Sequence, residues 1–509
     1  MLKELLKKIA AGGLRNDRDA ESSVAISENT AAEACANAGK LGLAEHHLQT
    51  AIHHDSRSSA LHYNLGLLRH NVGDVSGAEE AYQHALELES DRQEVHSSLL
   101  SICDFSRTLR GGAGFSLHRE WAETYADPLT VKAEPHTNDP DSQRRLRVGY
   151  VSSDFRNHVI GRFIEPVLRA HNRQSVEIFC YSTSALMDET TRRLMALAPH
   201  WRNISALDDD QASERIRGDA IDLLVDLAGH SSGNRLLMFA RKPAPVQLTW
   251  MGYLNTTGMT AMDYKMTDAV ADPFGVEPFY REKLLRLPHS QWCYNPGFEP
   301  PNDGARQSRL NSSRLLLGCM ARFMKISNEC VDLWIELLHS VENSDLRLVD
   351  VPDHPRAAEL LARFAEAGLA SRVSILPTLL GDEYWKRIME LDLALDPFPY
   401  TGATTSLDCL WMGVPVITLA GSYGAERSAA SILSGIGCQH LIASSSDEYV
   451  QIARLLNADR SRLGQLRSML HERVRTSPLC DSRSFTADLE KALRSVWSHW
   501  CQAQKEKSQ

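Results

Sequence analysis

The stretch Ile221–Gly229, IDLLVDLAG, constrains the fold most. It lacks the polar alternation of a strand with one face in water, so it predicts a strand covered on both faces, as in a parallel sheet under helices. The same rhythm surrounds it. RLRVGYVSSDF, VEIFCYST, a short strand at Trp201, VQLTWMG and KLLRLP read as strands, with IGRFIEPVLRAH, ETTRRLMALA and DQASERIRGDA as helices between them. After a polar break at EPPNDGARQSR the pattern restarts. RLLLGCM, LRLVDV, RVSILP, LALDP and PVITLAG alternate with ECVDLWIELLHSV, RAAELLARFAEAG and DEYWKRIMEL, and FTADLEKALRSVWSHW closes the chain as an amphipathic helix. Two doubly wound α/β domains in tandem are expected, with ligands outside the carboxyl ends of the strands.

The first quarter is different. Gly39/Gly73, Ala44/Ala78, Leu48/Tyr82 and Ala51/Ala85 match at a spacing of 34 residues, the period of the tetratricopeptide helix pair. A third, weaker copy begins near Val95. Such pairs stack and present a groove, which suits a peptide. The expected organisation is a helical repeat region at 1–126, a polar, proline-bearing linker at 127–143, α/β domains at 144–300 and 301–480, and a C-terminal helix at 481–509.

Composition narrows the function. With 509 residues, 43% hydrophobic and 24% charged, the chain is an ordinary globular multidomain protein. A formal net charge of −10 argues against general nucleic-acid binding. The ten cysteines form no CxxC pair and no zinc spacing, so they read as thiols of a reducing compartment. MLKELLKKIAAGG is no signal peptide, and no apolar run reaches membrane-spanning length. A cytoplasmic protein, with neither membrane nor nucleic-acid partners, is expected.

Chemistry concentrates at FPYTGATTSLDCLWMG, Phe398–Gly413. It follows the strand LALDP and opens a helix. Free N–H groups and the helix dipole favour an anion there. Thr404 and Thr405 are expected to cap that helix, Gly402 to allow close approach, and Asp408, in its first turn, to turn to neutral hydroxyls such as a ribose diol. A capped helix with an N-terminal acid is the bland alternative. Arg322 and Lys325, in ARFMKISNE after RLLLGCM, form a second anion-binding element, where Lys325 could neutralise a leaving diphosphate. The run Asp208–Asp210 reads as a helix-start cluster rather than a metal pair.

From Arg144 to about Trp500 the chain resembles the catalytic half of the protein O-GlcNAc transferase family, in RLRVGYVSSDFRNH, DLLVDLAGHSSGNR, RKPAPVQLTWMGYLNTTG, MDYKMTD, LDPFPYTGATTSLDCLWMGVPVITLAG and the SPL motif at Ser477. The resemblance implies a GT-B glycosyltransferase, two tandem Rossmann-like domains preceded by an all-α tetratricopeptide array. It implies inverting transfer of GlcNAc from UDP-GlcNAc to protein Ser/Thr hydroxyls without a metal or other cofactor. By motif match, Asp154 and His158 become the candidate general bases, with Asn157 beside them, and Lys325 the diphosphate contact. Thr404, Thr405 and Asp408 fall to the donor by the same match, and Gly252 and Tyr253 to its sugar pocket; Arg322, Tyr384 and Tyr400 are expected beside the donor, and His230, at the carboxyl end of IDLLVDLAGH, against acceptor or donor. The chain departs from the animal enzymes at Tyr384, Gly381, Arg322 and Ala403, and His118 is a loose match for a further family histidine. FPYTGATT is nearer to bacterial members and SPINDLY-type O-fucosyltransferases. Two alternatives stand beside GlcNAc transfer: another donor, GDP-fucose or a UDP-hexose, and a non-catalytic adaptor that binds nucleotide sugar.

Overall fold

The computed structural model describes residues 19–300, 312 and 314–507; the break expected at EPPNDGARQSR and the N-terminal MLKELLKKIAAGG lie outside them, apart from Glu299 and Pro300. By contact the chain forms two compact units that do not follow chain order. One joins the stretch up to Arg110 to 302–420 and 440–470; the other joins 111–301 to 421–439 and 471–509.

In the second-named unit a seven-stranded parallel sheet is built from β1 (Leu146–Ser152), β2 (Val176–Ser182), β3 (His200–Asn203), β4 (Leu223–Asp226), β5 (Val246–Thr249), β6 (Tyr264–Asp268) and β7 (Lys283–Leu287). Its order is β3-β2-β1-β4-β5-β6-β7. β4 is buried at every residue, as its unbroken apolar text requires. β6 is not among the expected strands, because its text, YKMTD, carries Lys265 as its second residue. That lysine is buried and paired with Asp272 at 2.6 Å. Carboxylates at and after the end of β6 also recruit the distant segment 421–439: Asp272 accepts from the Gly424 N–H at 2.9 Å, and Asp268 from Ser431 Oγ at 2.6 Å. The helix Ser482–Lys507 packs here too, with Phe485 stacked on Trp250 and Glu490 against the buried His171 at 2.8 Å. Arg494 and the Trp497 indole hold carbonyls of Ser142, Arg144 and Asp141, so the polar stretch expected as linker is fastened to this unit at its end.

In the other unit the helices Asp19–Asn37, Leu41–His54, Ser59–Asn71, Val75–Leu88 and Gln93–Leu100 form the repeat array. Gly39 and Gly73 take φ of +76° and +75° in the tight turns within the two pairs, which explains their recurrence. Ala44, Ala78, Leu48, Tyr82, Ala51 and Ala85 are all fully buried. The third pair stops after its first helix; the next helix, Gly112–Trp121, belongs to the seven-stranded unit. The array packs on a six-stranded parallel sheet of β8 (Leu315–Cys319), β9 (Ser344–Leu348), β10 (Val373–Ile375), β11 (Leu393–Leu395), β12 (Val416–Leu419) and β13 (Ile442–Ala443), ordered β10-β9-β8-β11-β12-β13. Glu45 of the array joins His354 at 2.7 Å and Arg69 at 2.8 Å. A β-carbon on Gly73 would lie 2.9 Å from Met324 Cα, so array and sheet domain meet closely there.

Both sheets reverse their strand order at one place, between β1 and β4 and between β8 and β11. Loops leaving the carboxyl ends at such a point are where doubly wound sheets bind ligands. The candidate residues lie on or near those loops.

Candidate active site

At the β8/β11 point the loop after β8 runs through a short 3-10 turn, Phe323–Lys325, into the helix Asn328–Ser340, capped by Ser327. Ser327 Oγ also donates to Phe398 O at 2.8 Å, tying this loop to the one after β11. Lys325 is half-buried. Its ammonium donates to Thr401 O at 2.9 Å and lies 4.1 Å from the centre of the Tyr400 ring. Surrounding protein removes water from it and lowers its pKa to about 8, against the pull of Asp396. Tyr400 in turn stacks on Phe105 of the repeat region, 4.5 Å between centres and 11° between planes. Arg322 donates to Asn71 Oδ1 at 3.1 Å, a residue of the array, with Asp350 at 3.9 Å. The array therefore supports both cations of this loop.

The threonine loop departs from expectation in two ways. The helix runs Thr404–Trp411 with Ala403 at its N-cap and no side-chain capping bond, so Thr404 and Thr405 are its first two residues, not its caps. Asp408 then lies beyond the first turn rather than in it, and it is buried. Its Oδ2 accepts from the Tyr384 hydroxyl at 3.1 Å. Gly402 is required sterically: a β-carbon there would sit 2.7 Å from both Asp396 Oδ1 and Ser406 Oγ. Asp396 was not singled out from the sequence. It accepts from the Gly402 N–H at 2.7 Å, Thr418 Oγ1 at 2.7 Å and Ser406 Oγ at 3.2 Å. Burial raises its carboxyl to about 7.

At the β1/β4 point Asp154 and His158 fall on one turn. His158 is the N-cap of helix Val159–Ala170, its Nδ1 accepting from the Ile160 N–H at 3.3 Å and lying 3.6 Å from Asp154 Oδ2. Arg156 donates to Asp154 Oδ1 at 2.8 Å. Asn157 has an exposed side chain, and its N–H donates to Asp188 at 2.7 Å. His230, in the loop after β4, is buried, and its Nε2 donates to Thr257 O at 3.0 Å. It belongs to a cluster with Trp121, Tyr253 and His118, the last fully buried. His118 Nδ1 donates to Gly114 O at 2.6 Å, so its Nε2 accepts from the Tyr253 hydroxyl at 2.6 Å. Gly252 is fixed by packing: a β-carbon would lie 1.9 Å from Leu227 O. Asp208 caps helix Asp209–Gly218 while Asp209 and Asp210 pair with Arg235 and Arg241, the helix-start arrangement expected. Among the described residues no three His, Cys, Asp or Glu side chains gather as a metal group, and no helix is long and apolar enough to cross a membrane.

The sequence matches glycosyl transferase family 41 over residues 129–295 and 304–489. It is 34% identical over 431 residues to the probable UDP-N-acetylglucosamine–peptide N-acetylglucosaminyltransferase SPINDLY of Oryza sativa subsp. japonica, covering 83% of this chain and 46% of that protein. It is 34% identical over 376 residues to the corresponding SEC protein of Arabidopsis thaliana, covering 71% of this chain and 38% of that one. The chain thus spans less than half the length of these curated relatives. A solved structure of a mutant Thermobaculum terrenum O-GlcNAc transferase superposes with a TM-score of 0.88 at 35% identity, covering 99% of this chain and 98% of that one. With both switch-point loops inside the matched segments, the chain belongs to glycosyl transferase family 41.

Proposed function

We propose that the protein transfers N-acetylglucosamine from UDP-GlcNAc to serine and threonine hydroxyls of a protein acceptor. The observation that carries this reading is the assembly at the β8/β11 point: Lys325, the helix start at Thr404 and Thr405, and Asp408 with Tyr384. The chain's similarity to an O-GlcNAc transferase over nearly its whole length supports it.

In this reading the acceptor oxygen attacks the anomeric carbon as its bond to the β-phosphate breaks, with inversion and release of UDP. Charge grows on the departing diphosphate. Lys325 and the N–H groups of Thr404 and Thr405 stabilise it, with Arg322 adding positive potential nearby. The chemistry then uses protein cations rather than a metal. Asp408 takes the ribose hydroxyls, and Tyr384 orients that carboxylate beside the base. Tyr400 supports Lys325. Gly252 and Tyr253, with His230 behind them, shape the sugar pocket. The hydroxyl proton passes to Asp154, His158 or a water held by them beside Asn157. A neutral His158 whose Nδ1 caps its helix carries its proton on Nε2 and so donates; it must leave the cap to act as base. The repeat array holds the acceptor peptide. We place the protein in the cytoplasm, where ten free and mostly buried thiols stay reduced.

The test is transfer itself. The protein is incubated with an array of Ser/Thr peptides and, separately, UDP-GlcNAc, UDP-glucose or GDP-fucose, and the peptides are weighed by mass spectrometry. Addition of N-acetylhexosamine from UDP-GlcNAc is expected. Addition of fucose or hexose alone would replace the donor, and nucleotide binding without any addition would make the protein an adaptor.

A further inference from the structure

One peptide unit links two charged groups that the reaction above uses unequally. The Thr401 carbonyl accepts from the Lys325 ammonium at 2.9 Å, and the N–H of the same peptide, that of Gly402, donates to Asp396 Oδ1 at 2.7 Å. The peptide dipole thus has its negative end on the cation and its positive end on the carboxylate. Asp396 is 3% exposed, and Thr418 and Ser406 complete its hydrogen bonds. Ser406 lies in the first turn of the helix that begins at Thr404, so one carboxylate holds the loop, the helix start and, through the peptide, the lysine.

We propose that Asp396 is the positioning residue of the diphosphate site. It keeps Lys325 charged and aimed by holding the Thr401–Gly402 peptide, and it touches no substrate. The inference rests on the reading of this loop as the diphosphate site. An uncompensated lysine enclosed by protein tends to lose its proton, and a carboxylate nearby opposes that. The groups facing the pair leave its titration distinct. The Cys319, Cys330 and Cys409 thiols and the Tyr400 and Tyr449 phenols are pushed up by burial, and burial lowers the Arg322 guanidinium against the pull of Asp350 from a value far above this range. Between about pH 6 and about pH 9 Lys325 and Asp396 are the members of this group that titrate.

The experiment is calorimetric titration of the full chain with UDP across that range, for the wild type and Asp396→Asn. Asparagine with its oxygen in the Oδ1 place still accepts from Gly402 and Ser406, and its amide donates to Thr418 once that hydroxyl reverses, so the loop is retained while the charge is lost. Wild-type affinity should fall on the alkaline side as Lys325 deprotonates. In Asp396→Asn that fall should begin about one pH unit lower. The ligand's own titration is common to both proteins. An unshifted alkaline limb in a folded Asp396→Asn overturns the proposal and leaves Asp396 as scaffold. Should Asp396→Asn not fold, Thr418→Val strips one hydrogen bond from the carboxylate and should move the limb the same way by less; no movement overturns the proposal equally. A wild type that binds no UDP at any pH removes the donor reading, and this inference with it.

Discussion

Asp226 and Asp396 occupy the same place in two separate sheets. Asp226 ends β4 and accepts from the Ala228 and Gly229 N–H groups and from Thr249 of β5. Asp396 follows β11 and accepts from the Gly402 N–H, Ser406 and Thr418 of β12. Four residues earlier, Asp222 receives the Arg147 N–H at the start of β1, and Asp392 receives the Leu316 N–H of β8. The texts IDLLVD and LDLALD thus encode one device twice: a central strand with an aspartate at each end, one pinning its neighbour and one folding the ligand loop. Only in the second case does the loop peptide also carry a lysine.

Asp226 gives a pH prediction. Burial raises its carboxyl to about 6. The native state therefore binds this proton more tightly than the unfolded chain, and Asp226 lowers stability as pH rises from about 4 to about 6. The stability difference between Asp226→Asn and wild type should shift in favour of the variant by about 1–3 kcal/mol across that window. Urea unfolding at several pH values reads it; a pH-independent difference would mean that Asp226 has no raised pKa.

Gly252 is predicted to tolerate no side chain. A β-carbon 1.9 Å from the Leu227 carbonyl oxygen meets backbone that has nowhere to move. Gly252→Ala should cost about 3 kcal/mol and lower the thermal midpoint of its unit. Gly218, whose β-carbon would meet nothing, is the control position, and Gly218→Ala should leave the midpoint nearly unchanged.

Lys325→Ala should reduce turnover by about 3 kcal/mol of transition-state stabilisation, the scale of losing one oxyanion-type contact. The lysine is half-buried and its hydrogen bond goes to a loop carbonyl, so the fold should persist and circular dichroism should be unchanged. Near-wild-type turnover would take Lys325 out of the mechanism.

Asp408 and Tyr384 should differ in weight. Asp408→Ala is expected to weaken UDP binding by about 1.5–3 kcal/mol, as loss of hydrogen bonds to a charged group does. Tyr384→Phe removes the hydroxyl bond that orients the carboxylate, and should weaken UDP binding by about 1 kcal/mol. A Tyr384→Phe effect as large as that of Asp408→Ala would mean that the phenol itself holds the nucleotide.

The sequence makes the repeats, the two sheets and the switch-point loops legible, because each rests on a local period: 34 for Gly39 and Gly73, and unbroken apolar runs for β4 and β8. What it hides is long-range. The helix Ser428–Gly435 and the helix Ser482–Lys507 join the seven-stranded unit because buried Asp268 and His171 need their polar partners, and no local pattern announces that. Lys265 masks β6 for the same reason. Asp396 escaped notice because an acid at a strand end reads as a loop residue; the repeat of its spacing from Asp392 in Asp222 and Asp226 was the available signal. Thr404 and Thr405 were misread as caps because residue preference does not fix which residue turns first.

The decisive measurement is calorimetric titration of the purified protein with UDP and, separately, GDP at neutral pH, with Lys325→Ala as control. A uridine diphosphate site at Lys325 and the Thr404 helix predicts UDP binding that GDP does not match and that Lys325→Ala loses. Preference for GDP, or UDP binding indifferent to Lys325→Ala, would contradict it.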